Sequence, residues 1–130
     1  MSSKNFTGLE VYKKSRLFRR DISEIVKKYF PKEEKFDLTS QIIRSSRSVT
    51  ANLAEGHGRF YYQDNIRFCR IARGSLEETL EHLITAFDEK YIDSNLLKLK
   101  NEQQKECMRL LNGYIRFLRT SKVGKPDIET

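Results

Sequence analysis

The chain has 130 residues, 33% of them charged, with a net charge of +7, two cysteines and two prolines. That length fits one domain able to bury roughly two-thirds of its unfolded surface. The composition argues against a disulfide scaffold, and no apolar run approaches the ~18 residues of a membrane helix. The opening Met1-Ser-Ser-Lys-Asn-Phe6 lacks the apolar centre of a signal peptide, and the well-separated Cys69 and Cys107 read as reduced core residues, so a cytoplasmic protein is expected. Charge is unevenly placed. Residues 1–30 hold eight basic and three acidic side chains, residues 31–58 four of each, residues 59–92 five and six, and residues 93–130 eight and five. A basic face is therefore expected on the first and last helices, and such a face suits an anionic partner.

Thr7 reads as the N-cap of the first helix, with Glu10 three residues on to close a capping box. Val11, Ser15, Phe18, Ile22, Ile25 and Tyr29 step by four and three along one seam, widened by Leu17 and Val26, until Pro31 stops the helix near Tyr29. Lys13, Arg16, Arg20 and Lys27 fall on a second stripe, a candidate phosphate-binding face. A charged link follows, in which Asp37 is placed to accept from the first amides of helix two. That helix starts near Leu38 and puts Leu38, Ile42, Ser45, Val49 and Leu53 on one face. Ser40, Ser45, Ser46 and Ser48 supply the small side chains that let neighbouring helices approach.

The stretch Ala51-Asn-Leu-Ala-Glu-Gly-His-Gly-Arg59 reverses the chain, and either Gly56 or Gly58 is expected to take the left-handed position that ends a helix. Helix three runs from around 60–63 to about Lys90, with one seam at Tyr62, Ile66, Cys69, Leu76, Leu80, Leu83 and Phe87. A second seam at Phe68, Ala72, Ser75, Thr79 and Ala86 leaves too little of its circumference for solvent, which predicts cover on two sides, one by its own bundle and the other most simply by another copy of the chain, and hence a homo-oligomer. Arg59, Arg67, Arg70 and Arg73 precede Glu77, Glu78, Glu81, Asp88 and Glu89, an order opposed to the helix dipole that points to pairing between subunits. Asp93 or Ser94 caps helix four, whose seam is Leu96, Leu99, Gln103, Cys107, Leu110, Tyr114 and Phe117, broadened by Leu111, Ile115 and Leu118. Arg109, Arg116 and Arg119, with Lys105, form a flank like the stripe on helix one. The expected fold is all-α, an antiparallel up-down-up-down four-helix bundle over residues 1–120, followed by a flexible tail over 121–130.

Four motifs in order carry a family resemblance: Phe6-x-x-Leu9-x-Val11-Tyr12, Pro31-Lys-Glu-Glu-Lys-Phe-Asp-Leu-Thr-Ser-Gln-Ile42, Asn52-Leu-Ala-Glu-Gly-His-Gly-Arg59 and Arg67-Phe-Cys-Arg-Ile-Ala-Arg-Gly-Ser-Leu76. With these the chain resembles the bacterial four-helix-bundle proteins encoded in intervening sequences of large-subunit ribosomal RNA genes. The resemblance implies a ring, typically a homopentamer, without enzymatic activity. It also implies kinship with accessory proteins of diversity-generating retroelements, basic pentamers that act beside a reverse transcriptase and nucleic acid. Three positions depart from the family pattern: Thr50 stands in place of a mid-helix proline, His57 in place of an aromatic, and Arg73 in place of an apolar residue. Arg73 is expected to pair with an acid such as Glu77 or Glu81 of a partner subunit, or to redirect a basic patch.

Catalytic and metal chemistry find little support. Glu55 and His57 beside glycines suit capping and packing, the serines lack both a Gly-x-Ser-x-Gly elbow and a Ser-x-x-Lys, and His57, His82, Cys69 and Cys107 show no paired-ligand spacing. Gly56-His-Gly58 lacks the Lys-Ser/Thr of a phosphate loop. No cofactor is expected. The sequence therefore points to a non-enzymatic, basic, nucleic-acid-binding accessory protein contacting phosphates through Lys13, Arg16, Arg20, Lys27, Arg109, Arg116 and Arg119. Phe60, Tyr61 and Tyr62 either stack on bases or pack the turn. The alternative is an interaction scaffold for an acidic protein.

Overall fold

Each of the four periodic stretches forms one α-helix: α1 (Glu10–Tyr29), α2 (Leu38–His57), α3 (Tyr62–Asp88) and α4 (Ser94–Ser121). The computed structural model describes residues 5–121; of the expected tail over 121–130, Ser121 is the last residue of α4 and 122–130 lie outside the described residues. The seam of α2 (Leu38, Ile42, Ser45, Val49 and Leu53) is buried as its spacing predicts, and so is that of α1 from Val11 through Ser15, Phe18 and Ile22 to Ile25, while Tyr29 at its end is exposed. They meet Cys69, Leu76 and Leu83 of α3 and Cys107, Leu111 and Leu118 of α4 in one core. Each helix packs on two neighbours, α1 and α3 both lying against α2 and α4. Ser45 bonds to Thr79 and Ser48 to Ser75, so α2 and α3 run antiparallel. Asn65 bonds to Tyr114 and Arg73 to Asn112, which gives α3 and α4 the same relation.

Small hydroxyl side chains bring α2 and α3 together. Ser45 Oγ and Thr79 Oγ1 lie 2.8 Å apart, Ser75 Oγ donates to Ser48 Oγ at 2.8 Å, and Thr79 Oγ1 donates back to the Ser75 carbonyl at 2.8 Å. Ala72, Ser75, Thr79 and Ala86 are consequently buried within the chain. α2 is the cover of this seam from within the bundle, because its own serines allow the close approach. Part of the charge order around α3 is also met from within. Arg67 pairs with Asp64, Arg59 with Glu55 at 2.9 Å, and Glu78 with His82 at 3.1 Å. Gln104 Nε2 donates to Glu77 at 2.9 Å. Arg73 Nη1 donates to Asn112 Oδ1 at 2.9 Å, which ties it to α4 of its own chain.

Several helix ends differ from expectation. A 3-10 turn at Phe6–Gly8 precedes α1, and Asn5 Oδ1 accepts from the Thr7 amide at 3.0 Å. Thr7 is thus inside a turn, α1 starts after Leu9 without a side-chain cap, and the Thr7–Glu10 capping box does not form. Asp37 precedes α2 but makes no cap bond; the turn at Lys32–Glu34 sets Glu34 one helical turn upstream, and Glu34 Oε1 accepts from the Leu38 amide at 3.1 Å. At α4 the predicted cap is present, with Asp93 Oδ1 accepting from the Leu96 amide at 2.8 Å.

Neither Gly56 nor Gly58 is left-handed: Gly58 has φ −79° and ψ −4°, and Gly56 continues α2. The left-handed residue is Lys90, at φ 66°, where α3 ends. There the Lys90 amide donates to the Phe87 carbonyl and the Tyr91 amide to the Ala86 carbonyl, both at 2.9 Å, the paired closure of a Schellman motif. A side chain is unfavourable in that conformation. Lys90→Gly is therefore expected to raise the thermal midpoint through a gain of about 0.5–1 kcal/mol after the added freedom of the unfolded chain is counted. A lowered midpoint would contradict this account of the turn.

Beside that turn the Tyr91 hydroxyl donates to Glu34 Oε2 at 2.6 Å and pins the α3–α4 connection to the α1–α2 connection. This hydrogen bond, aided by the surrounding acidic groups, pushes the Tyr91 phenol up to about 12. A folded-state pKa above the ordinary value of about 10 contributes stability that is full below pH ~10 and is lost as pH rises through ~12. Alkaline unfolding should show this loss in the native protein and lack it in Tyr91→Phe, as followed by circular dichroism alongside tyrosinate absorbance.

Candidate nucleic-acid interface

The seven predicted contact residues divide once their neighbours are in place. Lys13 sits 4.0 Å from Glu10, and Lys27 3.5 Å from Glu24. Arg109 donates through Nε and Nη2 to both oxygens of Glu106 at 2.9 and 2.6 Å, which holds the Glu106 carboxyl below the usual carboxylate range and raises Arg109. Arg16, Arg20, Arg116 and Arg119 have no carboxylate partner among the described residues. The two stripes also part company in space. Lys100 and Gln103, whose side chains donate to Asp21, mark the flank of α4 that meets α1. Arg116 and Arg119 follow Asn112, the partner of Arg73, at helical spacing and so lie toward α3.

A further set of cations without a carboxylate partner gathers on the α1–α2 side. Arg19, Arg20 and Arg47 line a groove of about 530 Å³ together with Tyr12, Phe6 and Ile43. Arg19 Nη1 donates to Thr50 Oγ1 at 2.9 Å, while Thr50 Oγ1 donates to the Arg47 carbonyl at 3.2 Å. Thr50 thereby holds a guanidinium over the groove with further N–H groups free to donate. One turn away Arg44 and Arg47 line a second groove of about 460 Å³ with Lys35. At the other end Lys13 and Arg16 line a third, of about 430 Å³, which shares Tyr12 with the first. Planar guanidinium groups with unoccupied donors suit bidentate contacts to phosphate oxygens.

Arg19, Arg44 and Arg47 were not reached from sequence. Residues 31–58 average to no net charge, yet the acids Glu33, Glu34, Asp37 and Glu55 lie at the ends of that segment while Arg44 and Arg47 stand one turn apart in its middle. The signal was that local spacing rather than the segment sum.

Glu55 and Ser48, two of the groups weighed for catalysis, are otherwise engaged. Glu55 is paired with Arg59, whose guanidinium lies 4.7 Å from the centre of the Phe68 ring, and Ser48 accepts from Asn52 as well as Ser75. Cys69 and Cys107 are free and buried, and burial pushes their thiols up to about 12 and about 11. Neither is a thiolate at neutral pH. No cluster of three or more His, Cys, Asp or Glu side chains suited to a metal occurs among the described residues. Phe60 is exposed with its ring against Tyr61, and Tyr62 packs half-buried on the core.

These features define a class: an all-helical bundle with a cationic groove face. The chain matches the family described as 23S rRNA-intervening sequence protein over residues 7–113, and it belongs to that family. A similar fold is the crystal structure of a protein of unknown function from the S23 ribosomal protein family of Bacteroides thetaiotaomicron VPI-5482. It shares 27% identity, covers 82% of this chain and 98% of that one, and superposes with a TM-score of 0.74. A comparison with curated proteins finds no match. No helix among the described residues is long and apolar enough to cross a membrane.

Proposed function

We propose that this protein is a non-enzymatic nucleic-acid-binding accessory protein that holds phosphates on the α1–α2 face. The observation that carries the reading is the set of guanidinium groups at Arg16, Arg19, Arg20, Arg44 and Arg47, which line adjoining grooves without a carboxylate partner among the described residues. In a folded protein such a concentration of unneutralised charge attracts a polyanion and gains by release of its counterions. The family description refers to 23S rRNA, and RNA is accordingly the first polyanion to test beside DNA. A cytoplasmic protein and a nucleic-acid-processing partner such as a reverse transcriptase belong to the same reading.

The protein acts as a homo-oligomer in this reading, with the pentamer implied by the resemblance as the expected number. Support comes from apolar side chains left on the outer surface of the bundle: Leu99 is 65% exposed, Phe117 51% and Ile71 52%. Assembly would repeat the cationic face around a ring, so that several modest sites hold one polyanion together.

Light scattering during titration of labelled RNA and duplex DNA at low and moderate salt tests both parts. Oligomers that bind nucleic acid in a salt-sensitive manner are expected. A monomer would overturn the assembly, and an oligomer that binds neither polymer would redirect the cationic face to an acidic protein.

A further inference from the structure

Aromatic rings interrupt the cationic track at defined places. Tyr12 lines both the groove of Arg19, Arg20 and Arg47 and the groove of Lys13 and Arg16, so its ring lies between two sets of cations. Phe6 meets it edge-on, with ring centroids 4.9 Å apart and planes at 75°, and the two rings form one end of the larger groove. Ile43 adds an apolar stretch to the lining. At the opposite end of α2 the Phe36 ring is 83% exposed, with the Lys35 ammonium 5.3 Å from its centre. A duplex keeps its base faces stacked inside and presents phosphates, sugars and base edges, so aromatic rings within the groove would find no base face to stack on. A single strand presents both phosphates and base faces.

We infer that the α1–α2 groove is a single-strand site in which Arg19, Arg20 and Arg47 hold the backbone phosphates and the Tyr12–Phe6 pair stacks a base. The inference rests on the nucleic-acid reading above and narrows it to unpaired strands. From Lys35 to Tyr12 the track follows most of the length of α2, roughly 25–30 Å at the rise of an α-helix, a span on the order of five nucleotides of extended strand. Recognition by stacking and charge is tolerant of base identity, because every base has a π face.

Fluorescence anisotropy with three probes tests this: a short single-stranded RNA, the same strand made abasic throughout, and an RNA duplex of equal length. The native protein is expected to bind the base-bearing strand about ten-fold or more tighter than the abasic one, and tighter than the duplex. Tyr12→Leu should close the gap between the first two probes. Arg47→Gln, on an exposed side chain, should weaken both by the same factor and leave the gap intact. Should Tyr12→Leu unfold by circular dichroism, Phe6→Leu serves in its place, and the comparison of probes on the native protein needs no variant. Equal, salt-sensitive binding of base-bearing and abasic strands would overturn the stacking site and leave phosphate binding standing. Preference for the duplex would overturn the single-strand assignment, and failure to bind any probe would overturn the nucleic-acid reading as well.

Discussion

Replacing Gly56 by alanine is expected to destabilise the bundle by about 2–4 kcal/mol, lowering its thermal midpoint by on the order of 10 °C. Helix propensity predicts the reverse sign, since alanine in a helix interior is better than glycine by about 1 kcal/mol. Close approach decides the matter. A β-carbon at Gly56 would lie 2.7 Å from Asn65 Oδ1, 2.9 Å from Phe68 Cβ and 3.1 Å from the Asn65 carbonyl oxygen, and the last is backbone that cannot swing aside. Asn65 is itself engaged, donating through Nδ2 to the Tyr114 hydroxyl at 3.2 Å and accepting from the Cys69 thiol at 3.6 Å. Displacing it would disturb the contact of α3 with α4 as well as that with α2. Gly74 supplies the control, because a β-carbon there meets nothing within 4 Å. Gly74→Ala should stabilise by roughly 0.5–1 kcal/mol, and opposite signs at the two glycines in thermal melts would establish that contact rather than propensity governs Gly56.

Charge removal on the α1–α2 face should produce the largest change in binding. Arg20, Arg44 and Arg47 are exposed, so a combined Arg20→Gln, Arg44→Gln, Arg47→Gln variant should keep its fold. With three phosphate contacts gone, affinity for single-stranded RNA is expected to fall about 30- to 100-fold at ~0.1 M salt. The matching variant on α4, with Arg109, Arg116 and Arg119 replaced by Gln, is expected to lose only about three-fold, since Arg109 is committed to Glu106 and the other two lie on a different flank. Anisotropy titrations of both variants at one salt concentration make the comparison. Equal losses would assign the interface to both faces.

The four helices were legible because apolar spacing is a local record of which side faces inward: Val11 to Ile25 in α1 and Leu38 to Leu53 in α2 are buried as their steps of three and four require. Where the sequence reading failed, a non-local or competing local interaction had taken over. Asn5 organises a 3-10 turn that places Thr7 out of capping position, and Glu34 reaches the Leu38 amide first. Gly56 was singled out for backbone freedom, but its role is to make room for Asn65 and Phe68, residues whose proximity only the packing of α2 on α3 creates. The candidate site was half visible. Arg20 stands out by periodicity along one helix, whereas its joining with Arg47 depends on which faces α1 and α2 turn to the same groove, a property of the helix pair that neither stretch of sequence contains.

The central claim is that the α1–α2 face binds nucleic acid through its phosphates, and the salt dependence of RNA affinity tests it most directly. Plotted as log affinity against log salt, single-strand binding by the native protein should fall with a slope steeper than about −2, as expected when three or more phosphates are neutralised. In the Arg20, Arg44 and Arg47 variant the slope should flatten by about 2. A native slope near zero, or an unchanged slope in the variant, would contradict the account.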